Sequence, residues 1–201
     1  MADPTESPAN PKNFRGSSGS RLLSEWLVVL GVALVIAITV RTFILQQFYI
    51  SGPSMESTMF ENNRVLVSKL SYRLHDIRRG DVVVFDRVTV NGEMVQHDDL
   101  IKRVIALPGE TIAIKGCEVF IDNKLLVENY LNDYDLAQTK LEDRCRIPFM
   151  APLLITRNQI FVMGDNRPQS FDSRSFGPIK KDLVVGRAFV IIWPFGSTKF
   201  L

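Results

Sequence analysis

The fold class is indicated most directly by "DVVVFDRVTVNGEMVQHDDLIKRVIALPGE", residues 81–110. It is rich in Val, Ile and Phe, which favour β-strands, and it is interrupted by Asn-Gly and Pro-Gly, which favour tight turns. The pattern predicts two strands, residues 81–88 and 99–107, with turns at residues 90–93 and 107–110. A β-sheet is therefore the starting point for the rest of the chain.

Short segments of the same composition lie on both sides of this stretch, and turn residues divide them. They predict a mostly β fold, an antiparallel β-sheet domain preceded by one N-terminal transmembrane helix. Residues 128–154 are polar and lack clean alternation, which predicts an excursion with one short helix. The further predicted strands are residues 64–70, 111–116, 118–123, 159–164 and 187–193.

The N-terminal part divides into a polar tail and an apolar run. Residues 1–21 are rich in Pro, Ser, Asn and Gly, which predicts a disordered tail. Residues 22–46 supply about the ~20 residues that a helix needs to cross a bilayer. The most apolar part, Trp26–Val40, also fits a core helix or a cleavable signal peptide. Because Arg41 and bulky residues follow instead of a small-x-small site, we favour a retained anchor.

Charge sets the expected orientation of this anchor. Lys12, Arg15 and Arg21 precede it, so the positive-inside rule predicts a cytoplasmic tail and an extracytoplasmic domain, residues 47–201. The bilayer is then one partner, and the sequence leaves open whether it is a cell membrane or a thylakoid membrane. A net charge of +2, spread along the chain, excludes the basic stripe of a nucleic-acid binder.

The two cysteines, Cys117 and Cys145, both fall in the exported part. An oxidising compartment permits a disulfide there, but the sequence leaves open a pair of buried thiols. His75 and His97 lie far along the chain from both cysteines, so no zinc spacing is formed. We expect neither a metal nor an organic cofactor.

Common hydrolytic motifs are missing from the chain. It has no G-x-S-x-G elbow, no H-E-x-x-H and no P-loop. A Ser-His-Asp triad would need His75 or His97, and we interpret both as surface histidines, with His97 in a polar loop.

Lys102 is the remaining candidate for a base. Its neighbours at spacing two, Leu100, Val104 and Ala106, are apolar, so it is the lone charge on that face of the predicted strand. Burial would lower its pKa, and a neutral lysine can take a proton from a hydroxyl. The alternative, which periodicity alone favours, is an edge-strand lysine that opposes aggregation or a lysine whose charged head reaches water.

Four segments resemble the sequence boxes of the type I signal peptidase family, in the same order after one membrane anchor. The similarity extends from about residue 48 to the C-terminus. The resemblance implies a peptidase that cuts signal peptides from exported preproteins with a serine nucleophile and a lysine general base. The boxes are "SGPSMESTM" at 51–59, "RRGDVVVF" at 78–85, "IKRVIALPGE" at 101–110 and "GDNRPQSFDSRSFG" at 164–177.

The resemblance assigns roles position by position. Ser54 looks like the nucleophile, Lys102 like the general base, and Ser170 resembles the serine that orients the lysine. Two further pairs are carried over as structural groups near the site. Asp165 and Asn166 fit a tight turn, which Asx-turn chemistry would also explain, and Asp172 and Arg174 look like an ion pair.

Two positions depart from the family pattern. Gly52 replaces the serine whose hydroxyl helps to hold the oxyanion, so the oxyanion hole is expected to use the backbone N–H groups of Ser54 and Gly52. Ser57 replaces the usual proline, which removes a restraint on φ after the nucleophile.

Family position also suggests the substrate pocket. Phe48, Ile50 and Ile101 are candidates for its walls, and core packing is the equally open alternative. An extended substrate would pair with an exposed strand edge and place alternate side chains in pockets. Expected partners are preproteins that carry signal peptides, near the protein export machinery.

Three alternative functions are weighed. Related Ser-Lys proteins that cut themselves are soluble and carry a DNA-binding module where this chain has its apolar run. An inactive relative that binds preproteins is disfavoured because Ser54, Lys102 and Ser170 occur together. A peptidase dedicated to one partner preprotein stays open.

Overall fold

The structure, a computed structural model, describes residues 18–91, 94–131 and 144–201. Most of the predicted tail and part of the predicted excursion lie outside these residues. The chain forms two units, residues 1–40 and 41–201. The first contains helix α1, Ser18–Thr39. Among the residues that the structure describes, no helix combines the length and the apolar character that crossing a membrane requires.

The helix ends before residue 46, where the predicted anchor ends. A π-helical turn, Val40–Ile44, follows α1, and strand β1 already begins at Leu45. Leu45 and Gln46 pair with the backbone of the next strand, at Ser68 and Val67. Ladder hydrogen bonds, which hydropathy does not report, therefore draw the end of the apolar run into a sheet.

The described part of the second unit is mostly β, as predicted, and all its strand pairs are antiparallel. The larger sheet has the order β1-β2-β11-β3-β4-β9-β10, with β12 paired to β11, and the smaller has the order β7-β6-β5-β8. The strands are β1 Leu45–Tyr49, β2 Arg64–Ser68, β3 Val82–Asn91, β4 Met94–Ala106, β5 Thr111–Lys115, β6 Glu118–Ile121, β7 Lys124–Leu125, β8 Phe149–Leu154, β9 Gln159–Met163, β10 Ile179–Lys180, β11 Val184–Trp193 and β12 Lys199–Phe200. Short helices are α2 Ser71–Leu74 and α3 Ser173–Phe176, with 3₁₀ turns at Lys181–Leu183 and Phe195–Ser197.

The opening stretch of sequence forms the central hairpin, β3 and β4. It is longer than predicted, because pairing continues from Val82 opposite Arg103 to Asn91 opposite Met94. The prediction that His97 lies in a polar loop is therefore wrong: it lies in β4 opposite Val88. The backbone ladder holds the hairpin where its side chains are exposed, so burial of one face did not reveal the strand.

Two further interpretations change with the topology. Strand β8 occupies residues that were predicted to belong to an irregular excursion, and it pairs with β5. It is an edge strand containing Pro152, with half-buried and exposed residues in no regular alternation, so it lacks the usual sequence pattern. Strand β4 lies between β3 and β9, so the edge-strand interpretation of Lys102 is wrong.

The structure answers the open question about the cysteines. Cys117, in the turn between β5 and β6, and Cys145 form a disulfide, with their Cα atoms 5.7 Å apart. The disulfide joins the smaller sheet to the chain that leads into β8.

Candidate active site

The turn that carries Ser54, residues 51–59, is fixed by apolar burial. Met55 and Met59 are both 0% exposed and belong to the core cluster beneath the turn. The N–H groups of Thr58 and Met59 both donate hydrogen bonds to the Met55 carbonyl. We refer to residues 51–59 as the Ser54 turn. Its methionines are buried side chains that hold Ser54 at the surface of the core.

Lys102 reaches Ser54 from the central hairpin. Its Nζ lies 2.8 Å from Oγ of Ser54 and donates a hydrogen bond of 2.9 Å to the carbonyl of Ile101. The residue is only 3% exposed. Burial lowers the pKa of Lys102 to about 8, against the charges of Asp172 and Asp165, which favour the protonated form. The structure thus joins the predicted nucleophile and the predicted base.

A second segment, Gly164–Arg174, packs against the Ser54 turn, and we refer to it as the Gly164 loop. The N–H of Asn166 donates to the carbonyl of Ser54 at 3.1 Å. At Gly164, a Cβ would lie 2.3 Å from that carbonyl oxygen and 2.3 Å from Oγ of Ser170. Only glycine fits between Ser54 and Ser170, so the loop approaches the turn as closely as backbone allows.

Three buried ion pairs hold the Gly164 loop in place. Each arginine binds both oxygens of its carboxylate, which is the strongest geometry for such a pair. One of them also holds the Ser54 turn, because Thr58 Oγ1 donates to Asp165 at 2.6 Å. The pairs are Arg103 with Asp165 at 2.9 and 2.7 Å, Arg167 with Glu128 at 2.7 and 2.5 Å, and Arg174 with Asp172 at 2.8 and 2.7 Å.

Asp172 is the most enclosed of these carboxylates. Burial by itself would raise the pKa of Asp172, but hydrogen bonds and charge from Arg174, together with the N–H of Gly164, hold it below its ordinary value. Ser170 adds to this lowering, although its hydroxyl makes no well-formed hydrogen bond within the described residues. Asp172 therefore stays ionised close to Lys102.

Several residues of the site were missed by sequence reasoning. Thr58, Arg103 and Gly164 lie inside the quoted boxes, where only their spacing would have singled them out. Glu128 and Tyr130 lie in the supposed excursion. The Tyr130 hydroxyl donates to Glu128, and its ring covers the Arg103 guanidinium at 4.1 Å. No sequence signal indicated the contact of Tyr130 with Arg103, which lies far from it in the chain.

A small cavity of about 80 Å³ lies beside the Ser54–Lys102 pair. The three predicted pocket residues, Phe48, Ile50 and Ile101, line it together with Ser54 and Lys102. Ile50 is also part of the core cluster, and Phe48 and Ile101 pack against it. The same side chains thus serve as core and as cavity wall.

The histidines lie elsewhere. Nδ1 of His97 is 2.6 Å from a carboxylate oxygen of Asp86, and the ring is exposed. His75 is half-buried, with Nδ1 next to the carbonyl of Asp76. Neither histidine contacts Ser54 in the described part of the chain, and no cluster of metal-ligating side chains is found among those residues.

Comparison with known proteins finds matches to one family. The family model described as "Signal peptidase, peptidase S26" matches residues 23–193. The chain is 37% identical over 162 residues to a probable signal peptidase I-2 of Synechocystis sp., covering 81% of this chain and 69% of that protein. It is 33% identical to signal peptidase I of Leptolyngbya laminosa, over 95% and 89% of the two chains.

A relative from another bacterium gives a similar match. Signal peptidase IB of a Staphylococcus aureus strain is 34% identical, over 89% of this chain and 93% of that protein. A crystal structure of a signal peptidase I from Enterococcus faecalis is 30% identical, with a TM-score of 0.45, and covers 56% of this chain and 97% of that one.

Proposed function

The chain belongs to the signal peptidase family, peptidase S26, and we propose on this premise that it removes signal peptides from exported preproteins. It is a serine endopeptidase. The observation that carries the proposal is the 2.8 Å contact between Nζ of Lys102 and Oγ of Ser54, at the end of a small cavity. This contact argues against an inactive relative.

In the proposed reaction, neutral Lys102 takes the proton of Ser54 as Oγ attacks the scissile carbonyl. The same lysine then gives that proton to the departing amine, which leaves an ester between Ser54 and the signal peptide. Lys102 next activates a water molecule that hydrolyses the ester. A pKa of about 8 leaves a usable fraction of neutral lysine at neutral pH.

The oxyanion hole is proposed to use backbone N–H groups of Ser54 and Gly52. Gly52 has a φ of +86°, and no atom of the described residues lies within 4 Å of the position that a Cβ would take. Its backbone is therefore open to the carbonyl oxygen of a substrate. Glycine at this position gives up a hydroxyl donor but allows that approach.

The Gly164 loop is proposed to set the position of Lys102. Ser170 lies against Gly164, and a turn of its hydroxyl towards Nζ would fix the direction of the lysine. Asp165 and Asn166 tie the loop to the Ser54 turn, and the Asp172–Arg174 pair braces its far end. These residues are proposed to position Ser54 and Lys102 and not to contact the substrate.

The cavity size supports small side chains in the substrate. A small cavity of about 80 Å³ walled by Phe48, Ile50 and Ile101 favours a small residue over a bulky one. This fits cleavage after a small-x-small motif, the usual end of a signal peptide.

Helix α1 is proposed to be a membrane anchor, with the N-terminus in the cytoplasm and the β domain outside. Large apolar residues from Leu23 to Ile38 are 54% to 68% exposed. Trp26–Leu30 are five consecutive apolar residues, which at about 100° per residue cover every face of the helix. Such a helix needs an apolar environment, and tethering would concentrate the enzyme near membrane-bound preproteins.

The test is cleavage of a preprotein with a small-x-small site by the full chain in detergent. Ser54→Ala and Lys102→Met should each reduce turnover by at least about a thousandfold, since each removes one half of the nucleophilic machinery. Lys180→Met, at an exposed lysine of β10, is the matched control and should keep wild-type activity.

Circular dichroism should show that all variants are folded. Activity in Ser54→Ala would refute the proposal. Loss in Ser54→Ala alone would assign the base to another residue, and cleavage of a single preprotein from a broad panel would favour a dedicated peptidase.

A further inference from the structure

An exposed aromatic ring lies between two arginines at the end of the Gly164 loop. Phe171 is 40% exposed and follows Ser170 directly. The guanidinium of Arg87 lies 4.8 Å from the centre of its ring, and that of Arg146 lies 5.6 Å from it. Phe176 supports the ring from below, with the ring centres 5.5 Å apart. We refer to Arg87, Phe171 and Arg146 as the arginine–aromatic stack.

The two cations of this stack have no ion-pair partner among the described residues. Asp98 is the cross-strand partner of Arg87, but it accepts a hydrogen bond from Gln96 instead. The three buried arginines of the same region each bind a carboxylate in two places. Within the described residues, the stack therefore presents two arginines without an ion pair beside an apolar ring.

The position of the stack relative to the reacting pair follows from the register of the central hairpin. Arg87 shares a strand face with Val83, and Val83 is opposite Lys102. The cavity beside Ser54 instead uses Val84 and Ile101, which are paired on the other face. Lys102 thus belongs both to the lining of the cavity and to the strand face that carries Arg87.

A substrate that crosses the reacting groups connects these two places. Residues before the cut would fill the cavity, and residues after the cut would leave on the side of the stack. Arg87 lies four residues after Val83, about 13 Å along the strand. Three or four extended substrate residues span the same distance.

We propose that the arginine–aromatic stack binds acidic side chains in the first residues after the cleavage site of the substrate. This inference rests on the proposed function and adds a preference to it. Arginine forks bind carboxylates in two places, and the ring of Phe171 keeps the guanidinium groups in position without consuming their hydrogen-bond donors. The stack is then a determinant of substrate specificity.

The experiment uses three preprotein substrates that differ only at the second to fourth positions after the cut, which carry Asp, Ala or Lys. Cleavage by the full chain is measured in uncharged detergent. We expect kcat/KM to be about fivefold higher for the Asp substrate than for the Lys substrate, mainly through KM. The preference should weaken as salt is added.

Charge variants then locate this preference. In Arg87→Gln with Arg146→Gln the Asp-to-Lys ratio should fall to about one, and in Arg87→Glu with Arg146→Glu it should reverse. Arg157→Gln is the matched control: this exposed arginine precedes β9, whereas the Gly164 loop follows that strand. It should retain the wild-type ratio.

Two results would overturn the inference while leaving the proposed function intact. One is an Asp-to-Lys ratio that does not change in the glutamine variant. The other is that these substitutions weaken binding to vesicles of anionic phospholipid and leave the ratio unchanged, which would make the stack a lipid-facing surface. If even the Ala substrate is not cleaved, the proposed function fails and this inference fails with it.

Discussion

The Ser54 turn and the Gly164 loop are in direct contact, yet different interactions hold each of them in place. Met55 and Met59 fix the turn through apolar burial. Carboxylate–arginine pairs fix the loop, including Asp172 with Arg174, both almost fully enclosed. A buried apolar side chain can be replaced by another of similar shape, whereas a buried ion pair is strongly destabilising when one partner is lost. The turn that carries the nucleophile should therefore tolerate substitution better than the loop.

The largest expected effect comes from removing a carboxylate of the loop. Asp172→Ala leaves Arg174 charged and buried without its partner, which should lower the free energy of unfolding by about 4 kcal/mol. Denaturant titration of the full chain in detergent measures this change. The control is Asp182→Ala, at an exposed carboxylate that accepts one hydrogen bond, from Asn158. A loss no larger than that of the control would contradict the account of the loop.

The corresponding change in the turn removes an apolar anchor. Met55→Ala should lower the free energy of unfolding by about 3 kcal/mol, since it removes a fully buried side chain and leaves a cavity. Met55→Leu, which nearly conserves volume, should cost less than about 1.5 kcal/mol and retain activity. If Leu were as harmful as Ala, shape rather than burial would hold the turn.

Lys102, which contacts Ser54, lowers the free energy of unfolding of the folded chain. Its pKa is lowered from 10.5 to about 8, so below pH 8 the folded chain keeps an ammonium group in a buried place. Lys102→Met should therefore raise the free energy of unfolding at pH 7 by about 2 kcal/mol, after allowance for the lost contact with Ser54.

The sign of the pH dependence follows from proton linkage. Between pH 8 and pH 10.5 the unfolded chain binds more protons at this site than the folded chain, so wild-type stability rises relative to the variant. Denaturant titrations at pH 7 and at about pH 9.5 should show the advantage of Lys102→Met shrinking. A constant advantage would mean that the lysine does not titrate in the folded site.

Activity should follow the same group. With a pKa of about 8, the neutral fraction of Lys102 rises about tenfold between pH 7 and pH 9, and kcat/KM should rise with it. The pH–rate profile of a neutral substrate measures this, with circular dichroism at each pH as a check on folding. A profile that is flat over this range would remove Lys102 from the role of base.

The smallest expected effect concerns Ser57, in the Ser54 turn. It has a φ of +86°, and its buried hydroxyl finds no hydrogen-bond partner among the described residues. Ser57→Gly should therefore raise the free energy of unfolding by about 0.5–1 kcal/mol. Ser57→Pro, which restores the residue usual in the family, should be destabilising because proline cannot adopt this φ. A stabilising proline would show that the turn has a different backbone.

Much of the fold could be predicted from local sequence. The sequence predicts strands β3, β5, β6 and β11, because each is rich in β-branched residues and lies between turn signals. The extension of β4 through His97 could not be predicted, because its side chains are exposed and only the ladder holds it. Strand β8 was not predicted for a similar reason, because its half-buried and exposed residues do not alternate regularly.

The candidate site divides in the same way. The roles of Ser54 and Lys102 follow from a resemblance and remain predictions, although the structure brings the two side chains together. The partner of Asp165 is 62 residues away, at Arg103, and no local pattern encodes such a separation. Long-range charge pairs become visible only when the topology has placed their strands side by side.

Gly164 has a genetic consequence. A side chain there meets Oγ and Cβ of Ser170, of which a second mutation to alanine would remove only Oγ. It also meets the carbonyl oxygen of Ser54, which every amino acid possesses. Suppressor selection on Gly164→Ala should therefore return reversion to glycine and no compensating change elsewhere in the loop. The amino acid at position 164 therefore cannot change without loss of function, because the atom that a side chain would meet is a backbone oxygen, which no second mutation removes.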